Sequence, residues 1–438
     1  MRCQLPFAIH HSLKPQFDRT VSPAIVCLGL ALLCAGCATT IHRVGAPVPP
    51  GVLTVSSGFP GGSANVEAID QTNRVVRIVP APHPGRGWEC WWYFKLEGIR
   101  PGETLTLDVG KGVWATPDQA MFSLDNQTWT HTAPGRRQKD RIVYQTRIDA
   151  ATAWFAWGPP FVLADARALL QRAVKLSPFA RTFVLAKSRD GHAVPALRVA
   201  QPGVADAERA GIWIQARQHA WESGASWVCQ GFVEWLVSGD PRAQALRQRA
   251  SITVAPIMDA DNVQRGAGGK NQTPQDHNRD WSDTPHWPEV RAAQARIKSL
   301  DAAGRFDVFV DLHNPSASDR EPYFYIPPRA LLSDGRKQRL DLFLAAAKTE
   351  MTGPLSYTGK TIESGEKYDR NWQFISKNWV TRHTRDHVVA VTLETAWNTP
   401  RSTAEGYQRV GRELGLAIER YLRECGTSRS GTGQAGGR

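Results

Sequence analysis

After about residue 160, short apolar runs alternate with longer helical patterns, and this alternation constrains the fold more than any other feature. The apolar runs are Gly211–Ala216, Ile252–Met258, Asp307–Leu312 and Val388–Leu393. The helical patterns cover residues 223–238, 287–300, 336–352 and 402–424. Strands that alternate with helices indicate an α/β domain with a largely parallel or mixed sheet. Ligands bind beyond the carboxyl ends of the strands in such sheets, so the residues that follow each run are candidates for a site.

Residues 63–162 have a different pattern, in which apolar residues alternate with polar ones over 103–109 and 142–148, with turn-forming Pro and Gly clusters between. This period of two predicts a small antiparallel β-sandwich. The segment is rich in tryptophan, and two interpretations are open for these side chains: a glycan-binding platform or packing of the sandwich. Packing is favoured because large aromatic side chains dominate core energetics. The tryptophans are Trp88, Trp91, Trp92, Trp154 and Trp157.

The N-terminus has the features of an export signal. Three basic residues precede the apolar stretch Ala24–Leu33, and the small pair Ala35-Gly36 stands directly before Cys37. This arrangement is typical of a secretory signal peptide and resembles the bacterial lipobox, which implies a lipoprotein signal over 1–36 and lipidation of Cys37. The alternative is an ordinary secretion signal with an incidental cysteine. Residues 37–62 are then expected to form a flexible tether, and the protein to be lipid-anchored in the cell envelope, at the periplasmic side of the outer membrane.

The sequence excludes two classes, a thiolate zinc cluster and a bilayer-spanning protein. The formal net charge is +12, and removing residues 1–36 takes away three basic residues and one acidic residue, which leaves +10. Only Cys90, Cys229 and Cys425 remain after Cys37, so a thiolate zinc cluster is excluded. No apolar run approaches the roughly 18 residues needed to span a bilayer. The low-complexity tail, residues 425–438, is expected to be disordered. The sequence contains no nucleic-acid module, and export predicts that nucleic acid is not a partner.

Metal-binding residue types follow the apolar runs. His219 and Glu222 come after the first run, His313 comes after the third, and Glu394 ends the fourth. Two histidines and one glutamate are a ligand set that a catalytic zinc ion takes, with a fourth position left for water. A further glutamate supplies a base for that water.

Several stretches together resemble a known family: ARQHAWESGASWVCQGFVEWLVSGDPRAQALRQRASITVAPIMDADNVQRG, DHNRDW, VFVDLHN and VTLETAW. They resemble the zinc carboxypeptidases, and most of all the branch typified by cytosolic carboxypeptidases, which carries a β-sandwich before the catalytic domain. The resemblance implies a zinc-carboxypeptidase-like α/β/α domain with a mixed central sheet over residues 163–424. Position by position, it implies the following roles: His219, Glu222 and His313 as ligands of one Zn²⁺, Glu394 as general base, Arg265 as the cation that polarises the scissile carbonyl, Asn278 and Arg279 as the clamp for a terminal carboxylate, and Asp276 as the carboxylate that orients a ligand histidine.

This sequence departs from the family pattern at two turns. Ala220-Trp221 replaces the usual Pro-Gly between the paired ligands, and residues 259–262 replace an Asn-Pro-Asp-Gly turn. The family has a mobile tyrosine that caps the substrate, and no tyrosine of this sequence matches its position closely. Tyr368 is a candidate for it, and the alternative is that Tyr368 is an aromatic residue of a loop without this role. Three basic residues precede Glu394, and two interpretations are open for them. They favour a substrate with an acidic C-terminal side chain if they face the site, or they belong to a solvated loop, which is the usual case for a cluster of charged residues. This basic group consists of Lys377, Arg382 and Arg385.

Three functions remain open on this evidence. The first is a zinc-dependent carboxypeptidase acting on peptides with a free C-terminal carboxylate, with the membrane contacted only through the N-terminal lipid. The second is a murein-peptide amidase or acyl-amino-acid hydrolase on the same zinc scaffold. The third is an envelope-tethered binding protein with a vestigial zinc site. The intact set of ligands, base and clamp favours the first, and the sequence leaves the oligomeric state open.

Overall fold

The computed structural model describes residues 51–110, 115–203 and 209–431, with side chains described as far as residue 425. The lipoprotein signal, Cys37, most of the predicted tether and the end of the tail therefore lie outside the described residues. Within the described part, no helix combines the length and the apolar character needed to cross a membrane.

The N-terminal part consists of ten strands. They are β1 (Thr54–Ser56), β2 (Asn65–Asp70), β3 (Val75–Val79), β4 (Tyr93–Glu97), β5 (Glu103–Val109), β6 (Met121–Ser123), β7 (Thr130–His131), β8 (Arg136–Gln138), β9 (Arg141–Ile148) and β10 (Thr152–Ala156). One sheet has the order β1-β4-β10-β6-β7 and the other β2-β3-β5-β9-β8. All strand pairs are antiparallel except β3 with β5.

Apolar residues from both five-stranded sheets share one core, so the two sheets form a sandwich. Ile78 and Leu107 from one sheet belong to the same buried cluster as Phe94 and Phe155 from the other. The alternating pattern of β5 places Leu105, Leu107 and Val109 in this core, as the period of two predicts. Strand β1 precedes residue 63, the predicted start of the domain.

The remainder of the chain alternates strands with helices. The strands are β11 (Ala180–Lys187), β12 (Ala193–Val199), β13 (Ala210–Ala216), β14 (Ala250–Ala255), β15 (Val308–His313), β16 (Tyr323–Ile326), β17 (Thr361–Glu363) and β18 (Val389–Glu394). The helices are α1 (Leu163–Leu176), α2 (Ser223–Leu236), α3 (Pro241–Arg249), α4 (Ala260–Arg265), α5 (Pro288–Ala302), α6 (Asp334–Glu350), α7 (Ser376–His383) and α8 (Ala404–Gly431). Short 3₁₀ turns lie at His277–Arg279, Arg329–Leu331 and Trp372–Phe374.

These eight strands form one mixed sheet, in the order β11-β12-β14-β13-β15-β18-β16-β17. Its centre is parallel from β14 through β13 and β15 to β18. Every residue of β15 and β18 is buried, which explains why both read as continuous apolar runs with few polar interruptions. Helix α8 packs against α2, α3 and α6, while α7 packs on β15 and β18. The predicted fold class, an α/β domain with a mixed central sheet behind a small sandwich, is confirmed.

The parallel centre brings the predicted site together. Strands β13, β15 and β18 run in the same direction, so their carboxyl ends meet at one edge of the sheet. His313 at the end of β15 pairs in register with Glu394 at the end of β18. The turn after β13 reaches the same edge.

Candidate active site

Three buried side chains form a possible metal site. His219 and Glu222 lie in the turn between β13 and α2, and His313 ends β15. One ligand atom from each of the three lies within 4.8 Å of the other two. The Nδ1 atoms of His219 and His313 lie 2.7 and 2.6 Å from the two carboxylate oxygens of Glu222. Buried Arg217 supports the turn, because its Nε donates to the carbonyl oxygen of Ala220 over 2.9 Å.

The outer nitrogens of both histidines face carboxylates. His219 Nε2 lies 3.1 Å from Asp276, and His313 Nε2 lies 3.1 Å from Asp311. These contacts fix the ring orientations and leave both Nδ1 atoms directed at Glu222, an arrangement that metal-binding histidines commonly have. Sequence reasoning selected Asp276 but missed Asp311, although Asp311 stands two residues before His313 on the same strand.

The pKa values of Glu222 and His313 are set by their contacts with each other and with neighbouring charged groups. Burial alone would raise the pKa of Glu222, but the two imidazoles lower it below its usual range. Burial likewise would lower the pKa of His313, and Asp311 and Glu222 raise it instead. The donor set of two imidazoles and one carboxylate, each oriented by a neighbour, fits Zn²⁺.

Glu394 is placed beside this group and has an unused oxygen. Its side chain is buried, and Oε2 has no hydrogen-bond partner among the described residues. Burial raises the pKa of Glu394 to about 8, with a further contribution from the Glu222 carboxylate, while His313 opposes the shift. A cation bound at the neighbouring ligand group would favour the ionised form of Glu394, whose free oxygen is then suited to accept a proton from a water molecule.

Asn278 and Arg279 lie in the same cavity. Arg279 Nε donates to Asp369 over 2.7 Å, and Nη1 donates to the carbonyl oxygen of Asn278 over 2.9 Å. The Asn278 side chain lies 3.3 Å from His313 Nε2 and accepts a hydrogen bond from the backbone N–H of Ser376 over 3.0 Å. Arg279 retains further N–H groups with which it can bind a carboxylate.

Arg265 does not line the cavity with the other predicted residues, so its predicted role as the cation that polarises the carbonyl gains no support from its placement. Its Nε and Nη2 donate to Asp190 over 3.0 and 2.9 Å, and its side chain is half exposed. The reason is that Arg265 ends α4, where Gly266, with a φ of +73°, turns the chain before it enters the site. Lys270, five residues later, lines the cavity instead. The sequence pattern did not indicate Lys270, because the family resemblance assigned the polarising cation to Arg265.

The basic group before Glu394 divides in two. Lys377 is buried at the cavity wall, where its Nζ donates to the hydroxyl of Ser364. Arg382 contacts Gln373, and Arg385 donates to the carbonyl oxygen of Ala302, both outside the cavity. Only one member of the group therefore faces the site.

Aromatic residues form much of the cavity wall. Tyr368 lies at the cavity and is 43% exposed, with its ring centroid 4.9 Å from that of Tyr325. Trp221, which replaces glycine of the family turn, packs edge-on against Trp157, with 5.2 Å between the ring centroids.

The tryptophans of the sandwich differ in burial. Trp91, Trp92 and Trp157 are buried in its core, whereas Trp88 and Trp154 are part-exposed.

A single cavity of about 330 Å³ connects these groups. Its charged or ionisable lining residues, apart from tyrosines, are His219, Glu222, Lys270, Arg279, His313, Asp319, Lys377 and Glu394, and the amide of Asn278 lies among them. Within the described part of the chain, the cavity therefore combines a possible metal site, a carboxylate that can act as a base, and three cations, Lys270, Arg279 and Lys377.

Two family models match this chain. Residues 167–300 match the zinc carboxypeptidases, and residues 55–157 match the cytosolic carboxypeptidase N-terminal domain. Among curated proteins, an uncharacterised protein of Zymomonas mobilis is 27% identical over 274 residues, 60% of this chain and 68% of that protein. Human cytosolic carboxypeptidase 1 is 23% identical over 312 residues, which cover 60% of this chain and only 25% of the human protein.

Solved structures show the same fold. A metallo-carboxypeptidase from Burkholderia cenocepacia has a TM-score of 0.74 and 20% sequence identity, over 85% of this chain and all of that one. A metallo-carboxypeptidase from Pseudomonas aeruginosa, in complex with (2-guanidinoethylmercapto)succinic acid, has a TM-score of 0.71 and 20% identity, over 85% of this chain and 99% of that one. These structures show the fold, and the two family matches support a metallocarboxypeptidase, a hydrolase.

Proposed function

We propose that this protein is a zinc-dependent carboxypeptidase that hydrolyses the C-terminal peptide bond of peptides. One observation carries the proposal: the three possible ligands, the buried Glu394 and the Arg279 clamp all line the same cavity. A metallohydrolase in general needs only the metal ligands and the base. A cation able to bind a terminal carboxylate beside them favours an exopeptidase.

Zinc would be held by the Nδ1 atoms of both histidines and by Glu222, because these atoms converge and the Nε2 atoms are engaged elsewhere. When bound, zinc supplies an activated water at neutral pH and polarises a carbonyl group. Glu394 accepts the proton of the attacking water at its free oxygen and delivers it to the leaving amine. Arg279 holds the terminal carboxylate and thereby aligns the last peptide bond.

We further propose a preference for an acidic C-terminal residue. Lys377 supports it, because its ammonium group is buried at the cavity wall with a hydroxyl partner and without a carboxylate partner among the described residues. A substrate carboxylate would supply the missing negative charge. The relatives do not decide this point, since the matched region makes up a quarter of the human cytosolic carboxypeptidase.

The proposal is tested by incubating the purified zinc-loaded protein with a library of free-acid peptides and murein peptides, with and without a chelator. Mass spectrometry is expected to show loss of single C-terminal residues only in the absence of chelator. Glu394→Gln is expected to lower kcat by about 10²–10⁴-fold. Glu234→Gln, at an exposed position on α2, serves as the matched control.

Two results would contradict the proposal. The first is C-terminal trimming that is unaffected in Glu394→Gln, because the base would then be elsewhere. The second is selective cleavage of murein peptides at an internal amide bond, which would favour the amidase hypothesis.

We also propose export and lipid anchoring, supported by the lipobox-like sequence before Cys37. Metabolic labelling with a radioactive fatty acid is expected to label the wild-type protein. Cys37→Ser should abolish the label. Labelling of that variant to the same extent would show that Cys37 is not the lipidated residue.

A further inference from the structure

The sandwich domain runs directly alongside the loop that carries Lys270. Three backbone hydrogen bonds join the two segments, from the N–H of Gly269 to Arg86, of Trp88 to Lys270, and of Thr273 to Gly85. Their lengths are 2.8, 2.9 and 2.9 Å, in that order. The loop is therefore held by a short ladder across the domain boundary.

Two glycines permit this close approach. A Cβ atom on Gly87 would lie 2.4 Å from the carbonyl oxygen of Lys270, and one on Gly268 would lie 2.0 Å from that of Trp88. Backbone atoms cannot yield at such distances, so larger residues would separate the segments. Gly87 also has a φ of +88°, which L side chains rarely adopt.

The ladder brings Trp88 and Lys270 into the cavity together. The Nζ of Lys270 lies 5.3 Å above the Trp88 ring, and both residues line the cavity wall. A cation over an indole face is held without loss of its charge. The ammonium group makes no ion pair in the part of the chain that the structure describes, and its charge acts on Asp276 and Glu394.

The other two cations described at the cavity already have a role in the proposed function, in which each binds a carboxylate of the substrate. Arg279 is paired with Asp369, and Lys377 donates to Ser364 at the buried wall. Arg265 is outside the cavity, paired with Asp190. Among the described residues that line the cavity, Lys270 is thus the cation without an assigned role, and it can serve the reacting carbonyl group.

We propose that Lys270 is a catalytic residue that donates a hydrogen bond from its ammonium group to the carbonyl oxygen of the scissile bond, and that Trp88 of the sandwich is the residue that positions it. This inference depends on the proposed function. The proton stays on Lys270, and negative charge developing on the oxygen is stabilised as the carbonyl carbon is attacked. The sandwich then completes the active site instead of acting as a separate binding module.

The test compares Lys270→Met with Lys270→Arg in the zinc-loaded enzyme. The methionine variant is expected to lower kcat by about 10²–10³-fold with KM changed less than about threefold, and the arginine variant to recover most of kcat. Lys298→Met is the matched control, since Lys298 lies 5.2 Å over the Trp379 ring on the exposed side of α5. Zinc content is measured for every variant and is expected to stay at the wild-type value.

The role of Trp88 is tested by a double-mutant cycle. Trp88→Leu should lower kcat, Trp88→Phe should retain most of it, and Lys270→Met should cost little more when added to Trp88→Leu. An active wild type whose Lys270→Met variant keeps its kcat overturns this inference and leaves the proposed function standing. A change confined to KM for acidic substrates also overturns it, because Lys270 would then be a binding residue. An inactive zinc-loaded wild type contradicts the proposed function itself.

Discussion

His313 Nε2 lies 3.1 Å from a carboxylate oxygen of Asp311, two residues earlier on the same strand. Residues two apart on a strand face the same side, so β15 itself orients its ligand histidine. Asp311 is fully buried and also accepts hydrogen bonds from Gln218 and Ser376. The carboxylate that orients the His313 ring is therefore itself held by β15, by Gln218 and by Ser376.

Asp311→Asn is expected to weaken zinc binding by about 10–100-fold, because the amide orients the histidine less firmly and does not increase its basicity. Competition with a chromophoric chelator measures the affinity. Asp190→Asn, which alters a carboxylate outside the cavity, is expected to bind zinc as the wild type does. A folded Asp311→Asn variant with wild-type affinity would show that Asn278 alone orients the ring.

Arg279→Ala is expected to raise KM about 10–100-fold for free-acid peptides, since a charge-assisted hydrogen bond to the terminal carboxylate is lost. Each peptide is compared with its C-terminal amide, which lacks the negative charge. The wild type should distinguish the acid from the amide, and the variant should not. Retention of the wild-type discrimination in Arg279→Ala would exclude this residue as the clamp.

Lys377→Met is expected to lower kcat/KM for peptides ending in glutamate by about 10-fold or more, with peptides ending in leucine little affected. Burial lowers the pKa of Lys377 to about 7, and the charge of Arg279 contributes to the shift. The amine is protonated below this pH, so the preference for glutamate should decline as the pH rises through about 7. The ratio of the two kcat/KM values, measured from pH 5.5 to 8.5, should vary in the wild type only. A ratio unchanged by Lys377→Met would place acidic recognition elsewhere.

His277 predicts a pH dependence of stability. Burial would lower its pKa, but Asp259 and Glu289 raise it to about 9, from an ordinary value of 6.5. Because the folded-state pKa is raised, the stabilisation is complete below about pH 6.5 and is lost as the pH rises through about 9. The difference in Tm between the wild type and His277→Gln should therefore be larger at pH 6.5 than at pH 10. A difference independent of pH would mean that His277 is neutral in the folded protein.

The sequence by itself determined the fold class and the chemistry of the ligand set. Continuous apolar runs over β15 and β18 were sufficient to predict buried central strands, because both faces of such strands are covered. His313 and Glu394 end these strands, so their placement at one sheet edge follows from local pattern and parallel topology alone. Strand bounds differ from prediction by at most three residues, as at β14, which ends at Ala255 and not at Met258.

Only the tertiary structure decided which cations face the cavity. Arg265 is the last residue of α4, and Lys270 lies five residues later in the loop that follows, where no periodic pattern indicates which side chain points inward. That choice depends on the ladder between Gly269 and Arg86, across more than 180 residues of sequence. Lys377 and Arg385 were separated in the same way, by α7 packing on the sheet. Strand ends are fixed by short-range pattern, whereas side-chain direction in a loop is fixed by whatever packs against it.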